Sequence, residues 1–426
     1  MWDDVRALRK EYRQREGKVV ETVMNGSQVV LATCHSAGGW QIRNHVFDVA
    51  IIDEATQALE AVCWIPVLKA KKLILAGDPM QLPPTIISID KPKKDKTKGS
   101  NGKNTDTKST KATPKATPDL KQKREEEVKK SNAPEADESE SSDDDESGDA
   151  ELESDHPAPD TVKEDKPKPT KEKSKKRERQ HGVLRPPRTL ETTMFDRLEK
   201  MYGASIKRML TVQYRMHEHI ATFPSKTMYH SKLTSHASVA SHLLRDLPNT
   251  NADSPEEETE VLGTPVVFFD TAGCEYFERL EGEGDGDEGS RCNENEVMVV
   301  KMWTERLIST GVLPSQIAII TPYQAQVSLL TSLLRPTYGT DLEIGTVDGM
   351  QGREKDAVII SLVRSNENRE VGFLKDKRRL NVAMTRAKRH LCVIGDSSTV
   401  QHGSPFLKKW MSWLENNADV RYAGLD

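Results

Sequence analysis

The sequence predicts an α/β protein with two parallel-sheet lobes, the first incomplete, separated by a long charged insert. Three observations lead there. An almost continuous apolar run, Val46 to Ile52, ends in two adjacent carboxylates, Asp53 and Glu54. A Val/Ile-rich run with little polar alternation suits a strand buried on both faces of a parallel sheet. Strand, loop and helix signals alternate on both sides of the insert, which is the βαβ pattern. From about residue 90 to about residue 187, Lys, Glu, Asp, Ser, Thr and Pro dominate and aromatic residues vanish.

Residues 2–24 have polar helical spacing and read as one surface helix or two, with Met1-Trp2-Asp3-Asp4 leading in, in place of a signal peptide. Gln28–Thr33 reads as a buried strand, followed by a loop of small residues, Cys34 to Gly39. After the acidic strand come a helix over 58–68 and a strand over 72–76. That strand ends in Gly77-Asp78-Pro79-Met80-Gln81-Leu82-Pro83-Pro84. The insert runs basic (91–98), acidic (135–155) and basic again (163–179). Such a composition buries too little apolar area to offset its ordering entropy, so the sequence predicts disorder there. Lys173-Ser174-Lys175-Lys176-Arg177 reads as a nuclear-import signal, a nucleic-acid tether or simply part of a solvated insert.

Order resumes with a helix over 192–202, then the string Leu210 to His217 and a polar loop over 249–260. A strand over 265–270 precedes a second acidic, Gly-rich loop, 278–290. A helix over 293–310 stops at Gly311, and a strand over 317–320 leads through Pro322 and Tyr323 into a helix over 324–334. Residues 343–347 lead into Asp348-Gly349-Met350-Gln351-Gly352-Arg353-Glu354-Lys355-Asp356. A buried strand over 357–363, a helix over 377–388, a strand over 391–394 and a helix over 405–414 complete the pattern. The expected domains are therefore 1–89, the insert 90–187, and 188–426.

The net charge is −5, with 30% charged residues, so no global basic character marks a nucleic-acid binder. The five cysteines are scattered without a CxxC pair, which supports neither a zinc site nor a disulfide framework and suits a reducing compartment. No run approaches the ~18 apolar residues of a membrane span.

Acids at the C-terminal end of a strand sit where open α/β sheets bind ligands. One carboxylate can hold Mg²⁺ while its neighbour orients or deprotonates a water, although the same pair also suits a solvated turn. Gln81 offers both donor and acceptor, suited to a terminal phosphate and an attacking water, or to an ordinary strand exit. Tyr214 is a flat stacking face, and Arg215 a planar fork for phosphate oxygens or a surface ion pair. Arg379, Arg386 and Arg389 are expected on one helix, the first two on one face, facing either solvent or nucleic acid.

Taken in order, DEATQ, GDPMQLPP, QYRMH, TPYQAQ, VDGMQGREKD and NVAMTRAKRH resemble the motif series of superfamily 1 helicases, in particular the up-frameshift-like group. Phe269 to Cys274, Phe223 to Leu233, and Val363 to Leu374 resemble the immunoglobulin mu-binding protein type within that group, also called the DNA polymerase α-associated helicase A type. The resemblance implies two RecA-like P-loop NTPase lobes with ATP in the cleft and single-stranded DNA or RNA across the top. It implies that Asp53 is the Mg²⁺ ligand, Glu54 the base, Gln81 the γ-phosphate sensor, and Arg215 and Arg386 arginine fingers. Tyr214 would stack on adenine, and Gly352 and Glu354 would contact the nucleotide. Thr33, Pro322, Tyr323 and Thr346 would touch the strand. The implied activity is an ATP-dependent 5′→3′ helicase. The implied setting is a monomer in the nucleus or cytoplasm, off the membrane, with replication or ribosome-associated partners. One departure stands out: no Gly-x-x-x-x-Gly-Lys-[Ser/Thr] occurs, and Gly99 to Asn104, inside the insert, lacks both the spacing and the hydroxyl. The chain therefore reads as the C-terminal part of a longer helicase or a truncated gene product, inactive alone, or as a non-enzymatic remnant that binds nucleic acid or docks a partner.

Overall fold

A computed structural model describes residues 2–86, 189–281 and 290–423. The expected disorder of the insert, its Lys173–Arg177 cluster and the tip of the acidic loop lie outside the described residues. The chain opens with α1 (Trp2–Gly26), which buries none of its residues. Residues 27–33 form no strand, contrary to expectation. A strand needs a neighbour to take its backbone N–H and C=O groups, and here Val29 (76% exposed) and Leu31 (93%) stand in solvent.

The first sheet is a parallel pair, β1 (Phe47–Ile52) and β2 (Ala70–Leu75), joined by α2 (Glu60–Val67) and registered Val49 to Lys72 and Ile52 to Leu75. The expectation that β1 is buried on both faces is overturned. Only Ile52 is buried, and Ile51 is 67% exposed. Among the described residues β1 has one strand beside it and one helix layer over it, so one face stays open. The small core under α2 holds Ile52, Ala55 and Cys63, and Met194 of α3 (Met194–Tyr202) joins it. Thr193 and Asp196 cap α3 reciprocally, and Arg197 pairs with Glu60. The first helix after the insert thus packs back onto the first sheet.

The larger sheet follows. Helix α4 (Glu218–Met228) precedes β3 (Val266–Asp270), and a short antiparallel pair, β4 (Arg279–Glu281) and β5 (Ser290–Cys292), leads into α5 (Glu294–Ser309). The stems of the expected acidic loop are therefore paired strands. Next come β6 (Ile317–Thr321), α6 (Gln324–Tyr338), β7 (Glu343–Thr346), β8 (Lys355–Ser361) and α7 (Lys377–Met384). The series closes with β9 (Ala387–Gly395), α8 (Pro405–Asn417) and β10 (Asp419–Tyr422). All six strands of the sheet are parallel, in the order β10-β3-β9-β8-β6-β7.

Side chains alternate across each strand, so the sheet has two apolar faces. Phe268, Ile320, Val358 and Val393 pack with Ile220, Leu380 and Trp410, from α4, α7 and α8. Phe269, Ile319, Ile359 and Cys392 pack with Trp303, Leu307 and Leu330, from α5 and α6. The expected helix over 377–388 ends early, at Met384. Pairing with β8, which sets Lys355 opposite Ala387, draws residues 387–390 into β9. Arg386 and Arg389 are therefore off the helix, and Arg379 and Arg386 do not share a helical face.

Candidate active site

The two exits of the small sheet are tied together. Ala55 N–H donates to Ala76 O at 2.8 Å, and Thr56 Oγ1 donates to Asp78 O at 3.2 Å. Gly77 permits this approach, because a Cβ there would lie 2.9 Å from Thr56 Oγ1. Glu54 sits at φ +52°, a left-handed conformation uncommon without glycine. Its N–H donates to Asp53 Oδ1 at 3.0 Å, and its Oε2 accepts from Gln57 Nε2 at 2.6 Å. Both carboxylates are exposed.

Asp78 is the hub of the second exit, and motif reasoning passed over it. Its Oδ1 accepts from Met80 N–H at 2.9 Å, and its Oδ2 from Gln81 Nε2 at 3.0 Å. The same Oδ2 accepts from the Tyr229 hydroxyl at 2.6 Å, at the end of α4. Asn381 of α7 donates to that hydroxyl at 2.8 Å and to Met80 O at 2.9 Å. Burial first, then the Asp78 charge, pushes the Tyr229 phenol well above its ordinary range. Gln81, the expected phosphate sensor, is thus oriented by Asp78, and Asp78 is held by Tyr229 at the end of α4, whose hydroxyl is held in turn by Asn381 of α7.

Arg215 and Arg386 come together beside Glu354. Arg215 Nε donates to Glu354 Oε2 at 2.5 Å, and its Nη1 to Thr385 O at 3.0 Å. Lys388 pairs with the other Glu354 oxygen at 3.1 Å. Burial raises the Glu354 carboxyl, but its bonds from Arg215 and Lys388 outweigh this and hold it below the ordinary value. Arg215 thus makes the ion pair that is the alternative reading of it, with Glu354 as partner. Arg386 is buried, and its Nε donates to Val382 O at 3.0 Å. Burial, then the neighbouring Arg215 cation, lowers its pKa to about 10, against the opposing pull of Glu54, Tyr229 and Glu354. Its Nη1 and Nη2 donate to Arg353 O and Thr385 Oγ1, each at 3.2 Å, so the group is hydrogen-bonded while its charge stays buried.

The remaining expected residues are spread wider. Tyr214 is exposed and stacks on His236, with ring centroids 4.5 Å apart. Gly352 takes φ +76° in the turn before Glu354. Thr346 ends β7, and its Oγ1 accepts from Gly349 N–H at 3.4 Å. Pro322 and Tyr323 follow β6, where Pro322 is half-buried and Tyr323 is enclosed. Thr33 lies in the turn before the small sheet and bonds Ser36 at 2.9 Å. Mg²⁺ usually takes only one or two carboxylates, with phosphate oxygens and waters completing its shell. Asp53 and Glu54 suit that donor set, and among the described residues no group of three or more His, Cys, Asp or Glu forms an all-protein metal cage.

Two family models, each described as an AAA domain, match residues 1–89 and 190–398, together more than half of the chain. The DNA polymerase alpha-associated DNA helicase A of Schizosaccharomyces pombe is 37% identical over 421 residues, 99% of this chain and 48% of that protein. The protein of the same name in Saccharomyces cerevisiae is 35% identical over 444 residues, covering 100% of this chain and 50% of its own length. DNA-binding protein SMUBP-2 of Mesocricetus auratus is 37% identical over 426 residues, 99% of this chain and 32% of its own. The chain thus spans half or less of the length of these relatives.

Proposed function

The chain belongs to the up-frameshift-like group of superfamily 1 helicases, and from that premise we propose that it supplies most of the catalytic and strand-facing surface of an ATP-dependent 5′→3′ DNA or RNA helicase. The small-sheet lobe takes residues 1–89 together with α3, which packs on it, the large-sheet lobe takes the remainder of 188–426, and the enzyme works in the nucleus or cytoplasm. No described helix is long and apolar enough to cross a membrane. One observation carries the reading: the Asp78, Tyr229 and Asn381 bonds tie the exit of the small sheet, beside the acid pair, to the helices of the large one, which also holds Arg215 and Arg386. Charge that develops on a transferring phosphoryl group would meet cations from the large sheet and carboxylates from the small one, which makes turnover depend on their relative position. ATP supplies the phosphoryl group, and Asp53 with Glu54 would hold Mg²⁺ and water. Gln81, fixed by Asp78, would sense the terminal phosphate. Tyr214 and Gly352 would frame the nucleotide, and Glu354, in this reading, sets the angle of Arg215.

The test uses two proteins. The 426-residue chain alone, with single-stranded DNA, is expected to hydrolyse ATP near background, because it carries no Gly-Lys phosphate loop. A version extended by a P-loop-bearing segment is expected to turn over at ~1 s⁻¹ or faster. In the extended version, Arg215→Lys and Arg386→Lys should each lower kcat about a hundredfold, since lysine keeps the charge but loses the planar fork. An extended protein that binds single strands yet never hydrolyses ATP would favour the rival reading, a non-enzymatic binding module. Full kcat in both lysine variants would remove the finger assignment.

A further inference from the structure

Tyr323 is the aromatic residue that motif resemblance aims at the strand, yet it is only 3% exposed. Its hydroxyl accepts from Arg364 Nη1 at 3.1 Å. Arg364 is equally enclosed and donates through Nε to Glu278 Oε2 at 3.0 Å. Glu278 Oε1 in turn takes Arg291 Nη1 at 3.1 Å. Swinging the Tyr323 ring outward would strip a hydroxyl partner from a buried guanidinium, which is costly. The Tyr323 ring is therefore a floor.

The residue on that floor is Phe373. Its ring lies 5.6 Å from the Tyr323 ring and is 50% exposed, at the C-terminal edge of the parallel sheet where such folds bind ligands. Gly372 makes the approach possible. It takes φ +48°, and a Cβ there would strike the Arg364 guanidinium and the Tyr323 hydroxyl. The Arg379 guanidinium lies 5.6 Å from the Phe373 ring centre and pairs with Asp348 at 3.6 Å, two residues beyond Thr346. Arg379 and Asp348 also line a cleft of about 550 Å³ shared with Pro83 and Pro84. A half-open aromatic face beside a planar cation, fixed from below and bordering a cleft, is the layout that single-strand binders use to stack bases along a charged track.

We propose that Phe373 is a base-stacking platform for single-stranded nucleic acid, with Arg379 as its phosphate-side neighbour and Tyr323 as its support. This rests on the helicase reading above. The probes are dT and U oligonucleotides, with 2-aminopurine placed at successive positions, titrated against the 426-residue chain. Phe373→Ala should weaken binding of both DNA and RNA about tenfold. It should also restore 2-aminopurine fluorescence at one position and leave the salt slope unchanged, because an aromatic face releases no counterions. Phe373→Trp should restore affinity and quenching, whereas Phe373→Leu should not. Arg379→Ala should reduce the salt slope by about one counterion. If the unaltered chain binds but Phe373→Ala binds equally well, or if Phe373→Leu matches Phe373→Trp, the platform is wrong and the helicase reading stands. If the unaltered chain binds neither DNA nor RNA strands, both fall together.

Discussion

Glu296, on α5, is a carboxyl sealed against the large sheet, and its replacement by glutamine has a calculable signature. Its Oε2 accepts from Ser361 Oγ at 2.6 Å and from Val363 N–H at 2.9 Å. Its Oε1 has no partner among the described residues. Burial raises its pKa to about 7, against an unperturbed value of 4.5, although the two hydrogen bonds pull the other way. A folded pKa above the unfolded one means that the native state holds the proton longer. The protonated carboxyl keeps its full contribution below about pH 4.5, and stability is lost as pH rises through 7. With about 1.4 kcal/mol per unit, linkage gives wild type a loss of about 2 to 3 kcal/mol between about pH 5 and pH 8. Glu296→Gln keeps an acceptor for Ser361 and Val363 but points an amide at the unpartnered side. That offset, about 1–3 kcal/mol, is the same at every pH. The assay is urea unfolding of both proteins across this range, compared as the difference between them. The difference should drift by about 2 to 3 kcal/mol in favour of the variant as pH rises, with equal m-values. Parallel curves would show that Glu296 is already ionised in the fold and that the burial argument fails.

His390 predicts the opposite slope. It is fully buried, donates from Nδ1 to Thr264 O at 2.7 Å and accepts from Trp303 Nε1 at 3.1 Å, and burial lowers its pKa to about 4. Its neutral form is favoured, so stability should fall as pH drops from about 6.5 to about 4, by up to about 3 kcal/mol. His390→Gln should flatten that fall in the same unfolding assay. Tyr229→Phe removes the hydroxyl between Asp78 and Asn381, which should cost about 1–2 kcal/mol in thermal or urea unfolding. In the P-loop-extended protein the same change should lower kcat more than it raises KM, because it frees the loop that orients Gln81. An unchanged kcat would make the hydroxyl purely structural.

The parts of the fold legible in the sequence are those set by local pattern. Val266–Asp270, Ile317–Thr321 and Ile359–Ile360 are apolar runs that become central strands. The carboxylate pair was findable because its place at a strand end is a local signal. Two misreadings share one cause. Gln28–Thr33 has a strand's composition but, among the described residues, no neighbour to bond, and Ala387–His390 has a helix's composition but is captured by β8. Strand pairing is non-local, and local propensity yields to it. The Asp78, Tyr229 and Asn381 bonds were out of reach for the same reason, since they join residues 151 to 301 positions apart. Tyr323 shows another limit: a motif sets where a residue falls along the chain but does not say whether its ring faces outward.

The order of strands in the large sheet sets a timetable for its synthesis. Strand β3 lies between β9 and β10, its parallel neighbours on either side, and both are made long after it. As the chain leaves the ribosome, Val266–Asp270 emerges with two bare edges. It cannot be flanked on one side until Ala387–Gly395 appears, or on the other until Asp419–Tyr422 does. Tyr276 then anchors that last segment through a 2.7 Å bond to Ala423 O. Pairings so distant along the chain form slowly, and an all-apolar strand waiting with open edges is a site of misassociation. A nascent chain stalled anywhere between residues 270 and 387 would present that strand to the cell with neither partner, so translation speed and chaperone capture over this interval bear directly on the yield of folded protein.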